Sequence, residues 1–358
     1  RYTLFPYTTL FRSVHQMEQR QFAAIAAGRP RRRLRKGKGG RCSTMTNSIK
    51  SGKIRVEKYL RATVLNDVVE LEKRVWKKEG YREVNAPMVY FELAYLTNGL
   101  ILTAFDEGVY SREERESMAK EDPWYEGDRL IGFAALFADF DHNGPFWYGA
   151  RMGVDDRYQD KNVGDAMVNA LYECAKERNI PRIRWTYDPL QSRNGYIYLR
   201  KMGGLVKEIG FNYYSAVFTN DHFNRGISTD RFIVEWMIGS ERVRERMEDG
   251  RIPPADTAAI TTDNTINEIQ IGADGLEMHG ERWLFQSSRS PIFIEIPYDQ
   301  DRLLKTDRDR AQSLRDKCRA LFMHYLARGY TVTDFVLKKA EDGRRHVYYR
   351  LDQGLQWQ

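Results

Sequence analysis

A strand, a short loop and a strongly amphipathic helix follow one another between residues 146 and 178, and this arrangement limits the possible folds most. Residues 146–154 have the pattern of a strand, and residues 164–178 that of a helix, because apolar side chains recur at helical spacing. That apolar stripe consists of Ala166, Met167, Ala170, Leu171, Cys174 and Ala175. The loop brings backbone N–H groups without intrahelical partners to the positive end of the helix dipole, so the sequence predicts an anion site there.

The order of the other predicted elements indicates the fold class. Strands are predicted at 55–60, 100–105, 129–140, 146–154, 182–188, 205–214 and 231–238. Helices are predicted from Asn66 onward, at 88–97, at 164–178 and at 192–202. Asn143-Gly144 favours a hairpin turn between the strands at 129–140 and 146–154. These alternating elements predict an α/β (α+β) fold.

The composition changes along the chain and suggests a division into domains. Residues 45–250 carry the strand and helix patterns described above, with a charged surface insertion expected at 107–127. Residues 251–290 are polar and rich in turn-forming residues, which is typical of a linker or a hairpin. Residues 291–358 form a predicted C-terminal β-α-β-β unit, with strands at 291–296, 331–338 and 345–351 and a helix at 307–327. This unit is expected to complete a second half-sheet, cover the substrate entrance or form a homodimer contact.

The positive charge of the chain comes from its first residues. The whole chain has 57 Lys+Arg and 50 Asp+Glu, for a net charge of +7, whereas residues 1–44 hold eleven of the bases and one of the acids. The remainder therefore carries −3. Residues 2–13 resemble the translation of a short-read sequencing adapter, so we expect residues 1–44 to be a disordered upstream artefact. A nucleic-acid or targeting patch at 29–41 and a transit peptide are the alternatives.

Several classes of protein are disfavoured by what the sequence contains. No apolar run approaches the roughly 20 residues that cross a bilayer, so an integral membrane protein is not expected. Three cysteines share no CxxC or Cys/His spacing, which argues against a zinc site, and no metal is predicted. The acidic body makes a nucleic-acid partner improbable. We expect a cytoplasmic protein.

At the central loop and helix, the sequence resembles the GNAT superfamily of acyl-CoA-dependent N-acyltransferases. The family motif Gln/Arg-x-x-Gly-x-Gly/Ala, whose backbone holds the CoA pyrophosphate, is matched in part by Gln159, Asn162 and Gly164. Asn162 stands where the family has its first glycine, a tolerable change because Asn adopts left-handed conformations more readily than other non-glycine residues. The resemblance implies a mixed, mostly antiparallel splayed sheet flanked by helices.

A second stretch resembles one bacterial and archaeal branch of predicted GNAT-like acetyltransferases. Residues 185–194 read WTYDPLQSRN, close to the branch pattern WTFDPLxxRN, and residues 229–236 read TDRFIVEW, close to SDRFxVEW. The resemblance covers about residues 54–352. It implies an enzyme that uses acetyl-CoA or another acyl-CoA, such as succinyl-CoA, as co-substrate.

The same resemblance implies which residues bind this co-substrate. A cradle for the pyrophosphate is expected from Gln159, Lys161, Asn162, Val163, Gly164 and Asp165. The preceding strand, at Met152, Gly153 and Val154, is expected to bind the pantetheine arm and to polarise the thioester carbonyl. Asn194 lies where the family uses an Asn for the CoA arm.

Catalytic and acceptor-binding residues are less clearly marked. Many family members have a Tyr four residues before the glycine that ends this helix, and counting back from Gly203 gives Leu199, with Tyr198 just before it. Tyr198 is therefore a candidate acid for the leaving thiolate, and packing is the alternative. Asp188 is a candidate to accept the amine proton or bind the ammonium, and otherwise a helix cap or a partner of Arg193.

Two arginines and three functional hypotheses complete the sequence-based interpretation. Arg193 and Arg231 are candidates to bind a substrate carboxylate, with surface salt bridges as the alternative. The leading hypothesis is an N-acyltransferase acting on a small-molecule amine, with an amino acid as one option. A catalytically inactive acyl-CoA-binding module and a nucleic-acid-associated acyltransferase are the alternatives.

Overall fold

The computed structural model describes residues 45–49, 52–58, 64–78, 84–121, 129–214, 227–341 and 343–355. The predictions about residues 1–44 concern residues outside these ranges. The last residues of the predicted insertion also lie outside them. In the described part, no helix is long and apolar enough to cross a membrane.

A large mixed sheet with helices against it forms the framework of the protein. Its eleven strands lie in the order β1-β2-β3-β4-β5-β6-β8-β7-β12-β13-β11, and β9 and β10 form a separate hairpin. The strands are β1 Met45–Ile49, β2 Gly52–Lys58, β3 Leu100–Asp106, β4 Arg129–Asp141, β5 Gly144–Val154, β6 Arg182–Tyr187, β7 Leu205–Gly210, β8 Arg231–Met237, β9 Asn267–Ile271, β10 Glu277–Trp283, β11 Ile292–Ile296, β12 Tyr330–Lys339 and β13 Arg345–Gln353. Strands β5 and β6 run parallel, whereas the other neighbouring strands of the large sheet run antiparallel. The predicted α/β fold with a mostly antiparallel sheet is therefore confirmed.

Eight α-helices accompany the strands in the described residues, and a 3-10 turn, Asp156–Tyr158, lies between β5 and the helix at Val163–Glu177. They are α1 Val64–Trp76, α2 Pro87–Tyr95, α3 Arg112–Glu121, α4 Val163–Glu177, α5 Ser192–Gly195 (continued by a π-helical turn, Tyr196–Lys201), α6 Glu241–Met247, α7 Gln300–Thr306 and α8 Arg308–Ala327. The stripe predicted for α4 is buried and packs in one core with apolar residues of β2, β3, β4 and β6. Helix α4 therefore covers one face of the sheet.

Local differences between the predicted and observed elements have identifiable causes. The charged stretch predicted as an insertion contains α3, which has no apolar stripe because its described side chains are exposed. The short helix α7 begins at the N-cap Asp299, whose side chain accepts a hydrogen bond from the backbone of Arg302. A helix of seven residues, about two turns, is too short to show a clear periodic pattern. The polar stretch 251–290 contains the β9–β10 hairpin, which is one of the two predicted options.

The C-terminal unit extends the same sheet. Strand β12 pairs with β7 through Val332 and Val206, and β13 and β11 follow it outward. A second core joins apolar side chains of β6, β7 and β8 to those of α8 and β11–β13. As a result, α8 lies close to the end of β6, where the sequence predicts functional residues.

Candidate active site

A cleft opens where the two parallel central strands separate. Strands β5 and β6 pair only over Trp147–Gly149 and Ile183–Trp185, and the pair Gly149–Trp185 is the last one. A cavity of about 520 Å³ begins beyond it, with walls from β5, β6, α1 and the helix after β6. This volume is in the range of small-molecule sites.

A β-bulge in β5 shapes one wall of the cavity. Ala135 pairs with Arg151 and Leu136 with Gly149, so Ala150 is an extra residue on β5. Bulges bend a strand and are frequent next to active sites. Residues 149–152 all line the cavity, Met152 among them. Since β6 no longer pairs with β5 after Gly149, one backbone edge of this segment faces the cleft.

The loop before α4 has the geometry of an anion site. Asn162, the N-cap of α4, has a φ of 63° and no side chain that caps the helix. Its left-handed conformation is the one for which Asn can replace Gly. The first N–H groups of this 15-residue helix have no intrahelical partners. A Cβ added at Gly164 would meet nothing within 4 Å, so space for a ligand remains in front of the helix.

The other side chains predicted for the cradle make contacts within the protein. Gln159 donates to Asp156 at 2.8 Å, and the Lys161 ammonium lies 4.9 Å from the ring centre of Tyr158. Asp165 accepts a hydrogen bond from Lys201 at 2.6 Å. The Val163 side chain is buried in the core, so its backbone is the part that a ligand could reach.

Two residues of β5 whose backbone groups were predicted to contact the co-substrate pack against neighbouring elements on their side-chain faces. A Cβ at Gly153 would lie 3.0 Å from the Trp76 ring and 3.1 Å from Val75, so this glycine lets α1 approach the sheet. Val154 packs against the core under α4. The backbone groups of Gly153 and Val154 remain available to a ligand, whereas the faces that pack against α1 and the core do not. Asn194, on the opposite side, lines the cavity.

Asp188 is held by two arginines. Arg315 donates to both of its carboxylate oxygens, at 3.0 and 2.6 Å, and Arg231 approaches to 3.8 Å. Burial raises the pKa of Asp188, but attraction to Arg315 and then Arg231 outweighs burial and leaves the pKa below its usual value. An ionised carboxylate in this setting is a weak proton acceptor. The predicted alternative, a pair with Arg193, is wrong.

Tyr198 lines the cavity, whereas Leu199 is fully buried in the core. The Tyr198 ring lies edge-on to the rings of Trp185 and Tyr187, at 5.2 Å from each. Burial raises the pKa of its phenol, which keeps the hydroxyl protonated at neutral pH.

A widened helical turn brings Tyr198 to this position. The backbone N–H of Met202 bonds to the carbonyl of Ile197, a spacing of five residues, and that of Gly204 bonds to Tyr198. The rule of counting back four residues from Gly203 assumes a regular α-helix, and a π-helical turn changes the face that each residue presents.

The two arginines predicted for substrate binding lie in different places. Arg231 lines the cavity, and its guanidinium lies 5.1 Å from the ring centre of Tyr214. Arg193 is 63% exposed and pairs with Asp160 at 2.6 Å. That exposed pair is not part of the cavity lining, and such pairs contribute little to stability.

Several residues of the cavity were not identified from the sequence. Glu72 on α1 is buried and accepts hydrogen bonds from the Tyr90 hydroxyl at 2.6 Å and from Arg151 at 3.0 Å. Asp301 and Leu304 of α7 form part of the cavity edge. Glu72 is one of three acids on this amphipathic helix, so the sequence does not mark it as the buried one. Among the residues described, no group of three or more His, Cys, Asp or Glu could hold a metal ion.

Part of the chain is similar to a known protein family. Residues 84–203 match the model of the acetyltransferase (GNAT) family. No curated protein sequence matches the chain.

Solved structures similar to this chain include three bacterial proteins. The IAA acetyltransferase from Bacillus cereus ATCC 14579 is 15% identical, with 51% of this chain and 99% of that chain covered and a TM-score of 0.35. The ribosomal-protein-S18-alanine N-acetyltransferase from Escherichia coli is 14% identical, with 52% and 95% covered and a TM-score of 0.36. A GNAT family acetyltransferase from Elizabethkingia anophelis, solved with acetyl-CoA bound, is 15% identical, with 51% and 97% covered and a TM-score of 0.34.

Proposed function

Because residues 84–203 of this chain match the acetyltransferase (GNAT) family, we propose that the chain transfers an acyl group from an acyl-CoA to the primary amine of a small molecule. One observation supports this most. The cavity opens between β5 and β6, and the uncapped N-terminus of α4, the next α-helix in the chain, follows β5 after a short loop. A long thioester with a phosphorylated end and a reactive end requires both features.

The co-substrate would extend from the α4 loop into the cavity. Backbone N–H groups of residues 162–165 would hold the pyrophosphate, with Gln159 and Lys161 beside them. The pantetheine arm would run along the open edge of β5 at residues 152–154, opposite Asn194. Acetyl-CoA is the default donor. A succinyl group would need a cation in the cavity, and Arg151 is placed for that.

The reaction needs no covalent enzyme intermediate. The neutral amine attacks the thioester carbonyl carbon, the C–N bond forms, the C–S bond breaks, and CoA leaves as the thiol. Backbone N–H groups at the bulge of β5 would stabilise the oxyanion. Tyr198 would give its proton to the leaving sulfur, the amine proton would pass to solvent, and the Tyr198 phenolate would take a proton back from solvent. Asp188 would position groups rather than accept a proton, because two arginines hold it.

An inactive acyl-CoA-binding module is the second candidate, motivated by Leu199 and Asn162. The presence of Tyr198 in the cavity favours the enzyme. We propose in addition a cytoplasmic location and a homodimer. The narrower branch remains a prediction.

Calorimetry followed by a thiol-release assay tests the function. We expect the full chain to bind acetyl-CoA or succinyl-CoA saturably, with desulfo-CoA as the non-reactive control, and to release thiol when primary amines are added. Binding without thiol release from any amine would support the inactive module. No binding of any CoA species to folded protein would contradict both candidates.

A further inference from the structure

Three charged side chains connect the C-terminal helix α8 to the cavity. Arg315 of α8 is 1% exposed and donates two hydrogen bonds to Asp188, at the end of β6. Arg231, the first residue of β8, lies 3.8 Å from the same carboxylate, at the oxygen that Arg315 Nη2 also contacts. Together the three groups carry one net positive charge, and that charge lies where Arg231 borders the cavity.

Arg231 has donor capacity that the described residues do not use. A guanidinium has five N–H donors in a planar fork. The described residues give Arg231 one hydrogen bond, from Nη1 to the carbonyl oxygen of Asp230 at 3.1 Å. Its distance to Asp188 is too long for another, and its remaining neighbour is the ring of Tyr214. Arg231 is therefore a cation held in place with its fork open to the cavity.

The engagement of Asp188 by Arg315 is what keeps Arg231 open. Arg–carboxylate pairs are strongest when they are bidentate, and Arg315 already has that geometry with Asp188. Without Arg315, the nearest cation to Asp188 would be Arg231. The two groups would then pair with each other, and the donors that face the cavity would be lost.

We propose that the acceptor amine carries a carboxylate, that Arg231 binds this carboxylate, and that Arg315 is a positioning residue that keeps Arg231 available. This inference rests on the proposed N-acyltransferase function and assigns its substrate class. It also gives the C-terminal unit a role in the active site, because α8 supplies Arg315 from 127 positions further along the chain.

Matched pairs of amines test the substrate class in the full-length protein. Thiol release from acetyl-CoA is measured with phenylalanine against 2-phenylethylamine and with lysine against cadaverine, pairs that differ by one carboxylate. We expect kcat/KM to favour the amino acids by about tenfold or more, as expected for charge-assisted hydrogen bonds. Arg231→Met should remove that preference. Equal or faster turnover of the amines without a carboxylate would overturn the inference and leave the proposed function intact.

The positioning role of Arg315 has its own test. In Arg315→Met we expect KM for the amino acid to rise by about tenfold with a smaller change in kcat, and KM for the matched amine to stay the same. The double variant Asp188→Asn/Arg315→Met should restore KM, because no carboxylate remains to capture Arg231. Arg308→Met, an exposed arginine of the same helix, is the control. Equal KM increases for both amines, or no rescue in the double variant, would overturn the positioning role.

Two outcomes outside this scheme are also decisive. If Arg315→Met does not fold, the double variant Asp188→Asn/Arg315→Met is compared with Asp188→Asn alone. Both variants should keep the preference for amino acids over the matched amines. Loss of that preference in the double variant overturns the positioning role of Arg315. If no amine releases thiol although acetyl-CoA binds, the proposed function fails. Calorimetric titration of phenylalanine and 2-phenylethylamine onto the CoA-bound protein then decides the inference, which falls if phenylalanine does not bind more tightly.

Discussion

The indole of Trp76 on α1 lies directly against the backbone of Gly153 on β5. A Cβ at Gly153 would approach the Trp76 ring to 3.0 Å, closer than nine in ten ordinary contacts of a Cβ atom. Trp76 also lines the cavity, and the Arg151 guanidinium lies over its ring, 5.9 Å from the ring centre. A tight contact between a helix and the bulged strand thus fixes one wall of the candidate active site.

Gly153→Val is expected to destabilise the protein by about 1–3 kcal/mol, because extra methyl groups overpack the contact with Trp76 and Val75. Urea unfolding of the variant and the parent measures the change. Gly239→Val is the matched control, since a Cβ there would meet nothing within 4 Å. Equal unfolding free energies for Gly153→Val and the parent would show that α1 can move away from β5 at little cost.

Gly164→Trp is expected to keep the fold but to weaken acetyl-CoA binding by about tenfold or more. No atom outside the helix backbone lies within 4 Å of the added Cβ, so the indole has room in the free protein, whereas a bound pyrophosphate would need that space. Calorimetry gives the affinity. Gly239→Trp adds the same bulk at the opposite end of β8 from the cavity and should bind normally. Unchanged affinity in Gly164→Trp would locate the pyrophosphate elsewhere.

Asp188→Asn is expected to cost about 3–5 kcal/mol at pH 7, because it leaves the buried Arg315 without a charged partner. The pKa of Asp188 is lowered in the folded state, so its contribution is complete above the usual aspartate value of about 4 and is lost as the pH falls below it. The difference between variant and parent should therefore shrink towards pH 3.

Urea unfolding at both pH values checks this dependence. The control is Asp160→Asn, which removes an 80% exposed carboxylate and should change stability by about 0.5 kcal/mol or less at either pH. A difference for Asp188→Asn that does not vary with pH would mean that Asp188 acts through shape rather than charge.

The sequence predicts those features that depend only on neighbouring residues. The α4 stripe and the turn at Asn143-Gly144 are read from neighbouring residues, and the structure has both. The left-handed Asn162 was equally predictable, because the residue type limits the conformation.

The contacts that complete the site depend on the tertiary structure and have no local signal. Arg315 looks like any surface base of a helix, yet it is 1% exposed against Asp188. The π-helical turn that turns Tyr198 towards the cavity depends on hydrogen bonds between residues five apart, which no spacing of apolar residues encodes. Predicting these contacts requires knowing that β12 lies beside β7.

Tyr198→Phe tests the proposed acid. If the Tyr198 hydroxyl gives its proton to the leaving sulfur, kcat should fall by about 100-fold, the lower end of the range for general acid catalysis, while acetyl-CoA affinity changes little. Burial holds the phenol protonated, so the parent should lose activity only well above neutral pH, and the variant should lack that alkaline limb. Tyr196→Phe, on the same turn but 43% exposed, is the control. Thiol release across pH gives both readouts. An unchanged kcat with an unchanged pH profile would show that the thiolate leaves unassisted and that Tyr198 serves only to shape the cavity with Trp185 and Tyr187.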